Sequence, residues 1–145
     1  MTQRMQMNKV VPKGYTAMLN MENYVQTSGI DKTILELIKI RASQINGCAF
    51  CIDMHTKDAR AYGESERRIY ALNAWRETPF FTDKERAALA LTEAITLIAD
   101  NHVPDAVYEE AARHYDQEEI GNLIMAAVTI NSWNRIAIST GMMPE

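Results

Sequence analysis

Cys48, Cys51 and His55 fall within eight positions of one another in the stretch INGCAFCIDMHTKDA (residues 45–59), and the chain has no other cysteine. On a helix, residues three or four apart share a face. Two sulfurs so placed can approach within disulfide distance, and the imidazole can take the proton of the nearer thiol, Cys51. Three chemistries use such a set. Zinc would take both thiolates and His55, but structural zinc binds four ligands. With no second Cys-x-x-Cys or histidine pair, the fourth would have to come from Asp53, His102 or His114. The cysteines could equally be small core hydrophobes. The third chemistry is a dithiol that cycles with a disulfide, and it gains from a helix N-terminus, where unpaired N–H groups and the dipole favour the thiolate.

The elements that must position these groups read as helices. DKTILELIKIRASQINGC carries Asp31 as N-cap, apolar residues at Ile34, Leu37, Ile38 and Ile45, and Gly47 as its stop. The next helix covers CAFCIDMHTKDARAYG and closes at Gly63, which puts Cys48 at or beside its N-terminus and Cys51 one turn in. FTDKERAALALTEAITLIADN opens on a Thr82–Glu85 capping box and shows an apolar face through Ala88, Leu91, Ile95 and Ile98. DQEEIGNLIMAAVTINSWNRIAISTG opens on Asp116 and Glu119, ends at Gly141 and is apolar on several faces, the pattern of a central buried helix. Trp133, Asn134 and Arg135 interrupt it, either to satisfy buried partners or to meet another subunit. Pro104 marks the first turn of VPDAVYEEAARHY, and weaker helical patterns cover GYTAMLNMENYVQTSG and SERRIYALNAWRET, with breaks at Gly29 and Pro79. No stretch shows sustained two-residue alternation between turn signals. The expected fold is all-α, with six or seven helices and no sheet, in one domain over residues 1–145 whose redox motif core is 34–63. A thioredoxin-like host, which alternates strands with helices, does not fit.

Composition excludes other classes of function. Hydrophobic residues are 47% and charged residues 23% of the chain, close to globular averages, so neither disorder nor a fibrous repeat is indicated. The net charge of −4, with basic residues scattered along the chain, argues against a nucleic-acid partner. The N-terminal MTQRMQMNKVVPKGY lacks the apolar run of a secretory signal, and IGNLIMAAVTINSWN is too short and polar to span a bilayer. The expected location is the cytoplasm, where a Cys-x-x-Cys pair reads as redox-active or metal-binding before it reads as a static staple.

LELIKIRASQINGCAFCIDMHTKDARAYG, with Glu36 twelve residues before Cys48 and His55 seven after it, resembles the core motif of the AhpD-like alkylhydroperoxidases in the carboxymuconolactone decarboxylase superfamily. FFTDKERAALALTEAITLI and INSWNRIAIS resemble that family's later helices, so the likeness covers about three-quarters of the chain. The cysteine pair favours the peroxidase-like branch over the decarboxylases, which typically lack it. The resemblance implies a thiol peroxidase. Cys51 attacks the peroxide, Cys48 resolves the sulfenic acid as a disulfide, and Glu36 acts through His55 as the source and sink of protons. It also implies no bound cofactor, an external dithiol reductant of lipoyl or thioredoxin type, and a homo-oligomer, trimer or hexamer. The chain departs from the namesake at Phe50, between the cysteines, where AhpD carries a polar residue. Thiol–disulfide exchange or redox sensing without peroxide would use the same pair.

Overall fold

The computed structural model describes residues 2–145. All regular structure among them is helical. In chain order the elements are α1 (Met7–Val10), α2 (Pro12–Gln26), α3 (Lys32–Asn46), α4 (Ala49–Ala61) and α5 (Glu66–Ala71). A 3₁₀ turn (Leu72–Glu77) leads to α6 (Asp83–Thr96), α7 (Ile98–Asn101), α8 (Asp105–His114) and α9 (Gln117–Thr140). The all-α expectation holds, but the described residues form nine α-helices, not six or seven. The extra ones arise where the backbone leaves the helical conformation. Pro12 drives the residue before it out of the helical region, and Val11 at φ −132°, ψ 70° separates the single turn of α1 from α2. Leu97, at φ −99° and ψ 37°, breaks the expected helix after Thr82 into α6 and the one-turn α7. The SERRIYALNAWRET segment kinks at Ala74 (φ −121°, ψ 30°), beside the buried Trp75. Pro104 stands just outside α8 as its N-cap, one position earlier than expected.

The remaining boundaries follow their local signals. Asp31 accepts the backbone N–H groups of Thr33 and Ile34 at 2.9 and 3.3 Å, and both capping boxes, Thr82–Glu85 and Asp116–Glu119, are closed in each direction.

Helix α3 is the axis of the site because it is covered on both faces. Leu35, Ile38 and Ala42 pack with Ala88 and Leu91 of α6 and Leu123, Ala126 and Ile130 of α9. Leu37 and Ile40 pack on the opposite side with Ala59, Leu72, Trp75 and Leu89. A helix enclosed this way buries its polar residues too. Glu36, Lys39 and Ser43 are inside, and each needs a partner within the protein.

The turn from α3 into α4 is locked at Cys48. Gly47 takes the left-handed conformation (φ 69°) that a glycine adopts without strain. Its N–H donates to the Gln44 carbonyl while the Cys48 N–H donates to the Ser43 carbonyl at 2.9 Å, a Schellman ending. Cys48 is also the N-cap of α4, its carbonyl accepting the Ile52 N–H at 2.9 Å. One residue therefore ends α3 and begins α4. At the far end of α9, Gly141 lies so close to the N-terminal segment that a Cβ there would sit 2.9 Å from the Thr2 carbonyl oxygen. Arg4 donates its backbone N–H to Thr140 and its guanidinium to Ser139, which straps residues 3–8 across the mouth of the site.

Candidate active site

The four residues singled out in the sequence come together where α3, α4 and α9 meet. Cys48 and Cys51 are free thiols, 1% and 4% exposed, with their sulfurs 2.7 Å apart. They form a small cluster with Ala137, flanked by Phe50 and Met142. His55 lies one turn beyond Cys51 on α4 and is buried, its Nδ1 being 3.4 Å from Glu36 Oε2 and 3.9 Å from Asp58 Oδ2. Glu36 is inside the protein and not the surface carboxylate that an average helix would carry. Neither His55 Nδ1 nor Glu36 Oε2 has a well-formed hydrogen bond to any other group. Their mutual approach is the contact available to both.

The thiols are electrostatically unequal. At this separation the pair shares a proton, and the first ionisation is easy because the remaining thiol stabilises the charge. The Cys48 thiol is brought down to about 6, first by the Cys51 thiol and, against its burial, by the Cys51 backbone N–H, the Asn134 amide and the nearby His55. The Cys51 thiol is pushed up by its hydrogen bond to Cys48 and by burial. Accessibility runs the other way. A cavity of about 410 Å³ opens onto Cys51, His55 and Phe50, with Tyr15, Leu19, Met54 and Trp133 forming apolar walls, and Cys48 is not part of its lining. Charge favours one sulfur and access the other.

Asn134, singled out in the sequence only as a polar interruption of α9, and Glu22, not singled out there at all, also belong to this site. Asn134 is completely buried, donates to Ser43 Oγ at 3.0 Å and accepts from Asn46 Nδ2 at 3.0 Å, while its amide faces both sulfurs. Its polar neighbours Trp133 and Arg135 have different roles. Trp133 lines the cavity edge-on to Tyr15, with ring centroids 5.7 Å apart, and Arg135 donates to Asn131. Of the three, Asn134 is the one that satisfies buried partners. Glu22, on α2, lines the cavity and holds Lys39, whose Nζ is 2.7 Å from its Oε1.

The acid and imidazole groups that converge closely enough to share a metal ion, among the described residues, are Glu36, His55 and Asp58. The cysteines are not in that set, so the zinc site considered from Cys48, Cys51 and His55 is not assembled. Nor does any helix of the described residues have the length and apolarity to cross a membrane.

An all-helical fold that brings a Cys-x-x-Cys pair, a histidine and a buried glutamate together, with Cys51 and His55 on the cavity and Cys48 and Glu36 behind them, is AhpD-like. The chain belongs to the carboxymuconolactone decarboxylase family, whose model matches residues 11–94. It is 52% identical to the uncharacterized protein YdfG of Bacillus subtilis over 141 residues, covering 97% of this chain and 96% of that one. The alkyl hydroperoxide reductase AhpD of Maricaulis maris matches over 49 residues at 37% identity, which is 34% of this chain and 28% of that protein. Among solved structures, ATU0492 of Agrobacterium tumefaciens, a protein of unknown function, superimposes with a TM-score of 0.97 at 42% identity and 99% coverage of both chains. The debrominase Bmp8 shares the fold, with a TM-score of 0.83 at 20% identity over 92% of this chain and 72% of its own in the apo form, and 0.84 at 19% over 93% and 72% in its complex with 2,3,4-tribromopyrrole.

Proposed function

We propose that this protein is a thiol peroxidase that reduces hydrogen peroxide or organic hydroperoxides through Cys51 and Cys48. The observation that carries this reading is that Cys51, with His55 beside it, faces a mainly apolar cavity of small-molecule size while Cys48 sits behind it at contact distance. Charge on Cys48 does not prevent attack by Cys51. A proton shared over 2.7 Å can cross to Cys48, and His55 offers a second acceptor on the Cys51 side. The Cys51 thiolate then attacks the outer oxygen of the hydroperoxide. An S–O bond forms, the O–O bond breaks, and the departing alkoxide takes a proton from His55 and leaves as the alcohol. Glu36 faces Nδ1 of the ring and stabilises its protonated form, so the imidazole can hold the Cys51 proton until it is needed.

Resolution follows from proximity. The Cys48 thiolate attacks the sulfur of the Cys51 sulfenic acid, the S–S bond forms, the S–O bond breaks, and the departing hydroxide takes a proton from solvent to leave as water. Cysteine sulfurs already in contact need little movement to reach bonding distance. An external dithiol restores the pair by exchange, its two thiols becoming a disulfide. Because both sulfurs are nearly inaccessible from outside, a slender donor such as a lipoyl arm suits the cavity better than a broad protein surface. Assembly as a homo-oligomer in the cytoplasm completes the reading, and light scattering checks the first half of it by reporting a particle larger than one chain. The deciding experiment compares peroxide consumption, with dihydrolipoamide as reductant, against reduction of a disulfide substrate in the absence of peroxide. Catalytic loss of peroxide supports the reading. Disulfide reduction without peroxide turnover replaces it with thiol–disulfide exchange.

A further inference from the structure

Beside the thiols, two ligating atoms are left open. Glu36 Oε2 and His55 Nδ1 are buried and lack a hydrogen-bond partner, although they stand only 3.4 Å apart. Open polar atoms in a buried place are costly, and a bound group that engages both removes the cost. Asp58, one turn beyond His55 on α4, brings its Oδ2 to 3.9 Å from the same Nδ1. One ligand atom from each of the three residues lies within 4.8 Å of the others. A tetrahedral zinc ion, with bonds of about 2.0–2.2 Å, holds its ligands roughly 3.3–3.6 Å apart. Glu36 and His55 already have that spacing, and Asp58 has only to swing inward. The donor set of one imidazole and two carboxylates suits a borderline-soft dication, whose charge the carboxylates balance. The buried ammonium of Lys39, one turn along α3 from Glu36, is paired with Glu22 and leaves Glu36 to such an ion.

We propose that Glu36, His55 and Asp58 form a site for a divalent transition-metal ion of the zinc class, and that its occupation takes His55 out of proton transfer. Access does not run through the cavity, because neither Glu36 nor Asp58 lines it. The Asp58 side chain is 52% exposed, so the cluster meets solvent there. An ion arriving at α4 is taken first by this carboxylate and then by the two atoms behind it, with water left in the fourth position. A neutral imidazole that lends Nδ1 to a metal keeps its single proton on Nε2, and it then has no nitrogen free to accept the Cys51 proton. The inhibitory half of the inference rests on the peroxide chemistry proposed above; the binding half does not.

Binding is tested in the Cys48→Ser/Cys51→Ser protein, where no thiol competes for the ion. Zinc chloride added to one equivalent per chain should shift the His55 ring nitrogens in nitrogen-15 NMR. Asp58→Asn in the same background changes a half-exposed side chain and should weaken that binding by at least roughly tenfold. Inhibition is read in the Cys48→Ser protein as the rate of its single peroxide-consuming turnover with zinc divided by the rate without. Saturating zinc should slow this step by about 10²-fold or more, the range of a lost general base. Adding Asp58→Asn should relieve the inhibition at the same zinc concentration. A His55 ring that ignores zinc in the protein without thiols, or zinc held as tightly after Asp58→Asn, would overturn the site. Zinc seated on His55 with peroxide turnover undisturbed upholds the site and counts against the proton relay, so the two readings fail separately.

Discussion

Two carboxylates, the half-buried Glu93 on α6 and the buried Glu36 on α3, show how differently the body of the molecule and its site treat polar groups. Glu93 accepts from Arg41 Nε at 2.9 Å, Trp75 Nε1 at 2.8 Å and Arg76 Nη1 at 2.5 Å. Burial would raise its carboxyl, but these donors hold it below the ordinary carboxylate range. Glu36 has the His55 ring at 3.4 Å and an oxygen without a well-formed bond. Three buried side-chain atoms lack a partner among the described residues, Glu22 Oε2, Glu36 Oε2 and His55 Nδ1, and all belong to the site. The difference separates structure from function. Where a carboxylate is needed only to tie elements together, as at Glu93, both oxygens are hydrogen-bonded. Where protons must move or a ligand must bind, capacity is left open at some cost in stability.

Breaking the open side should act on chemistry. Cys51→Ser should lower peroxide turnover by more than roughly 10³-fold, because a serine hydroxyl is not ionised at neutral pH by a helix terminus. His55→Ala should cost about 10²- to 10⁴-fold in the first, peroxide-consuming step at neutral pH, with Glu36→Gln a smaller loss. Rapid-mixing assays of peroxide consumption would report both losses. Breaking the closed side should act on stability instead. Glu93→Ala strands the Trp75 N–H and two guanidiniums, and its urea midpoint should reflect a loss of about 2–3 kcal/mol while peroxide consumption by the folded protein persists.

Between these lies a pH effect with a definite sign. Because the Cys48 thiol titrates near 6 instead of the ordinary 9.0, the native state binds fewer protons than the unfolded one across that window. Stability of the reduced protein should rise from about pH 6 to 9 and be lost as pH falls through 6. Thiolate absorbance should show one charge per chain appearing near pH 6 and the second far above. The smallest expected change is in Asn134→Ala, which removes an amide facing both sulfurs and should move the first step upward without abolishing it.

What the sequence could show was what neighbouring residues decide. Asp31, Gly47, the two capping boxes and Gly141 act within one turn of themselves, and each set its boundary as expected. The Cys48, Cys51 and His55 spacing is likewise a property of one helix. Leu97 and Ala74 carry no breaking signal, and the backbone departs from the helix there despite good local propensity. Glu36 could be chosen over other carboxylates only through family resemblance, since its burial depends on α3 being enclosed from both sides. Asn134 reaches Ser43 across 91 residues and Glu22 reaches Lys39 across 17, so their roles exist only once α9 and α2 have docked. A lysine fully inside the protein contradicts every compositional expectation until its partner is known.

Attack by the cavity-facing thiol of Cys51, and not by the charged Cys48, is what the proposed chemistry requires. Mass spectrometry of the two single-cysteine variants, each given one equivalent of peroxide in the presence of a sulfenic-acid trap, tests it most directly. Cys48→Ser should consume the peroxide and carry the trapped adduct on Cys51, overoxidising when the trap is withheld, while Cys51→Ser should leave Cys48 largely unmodified. A sulfenic acid forming on Cys48 in the Cys51→Ser protein, as fast as or faster than on Cys51 in the other, would contradict it.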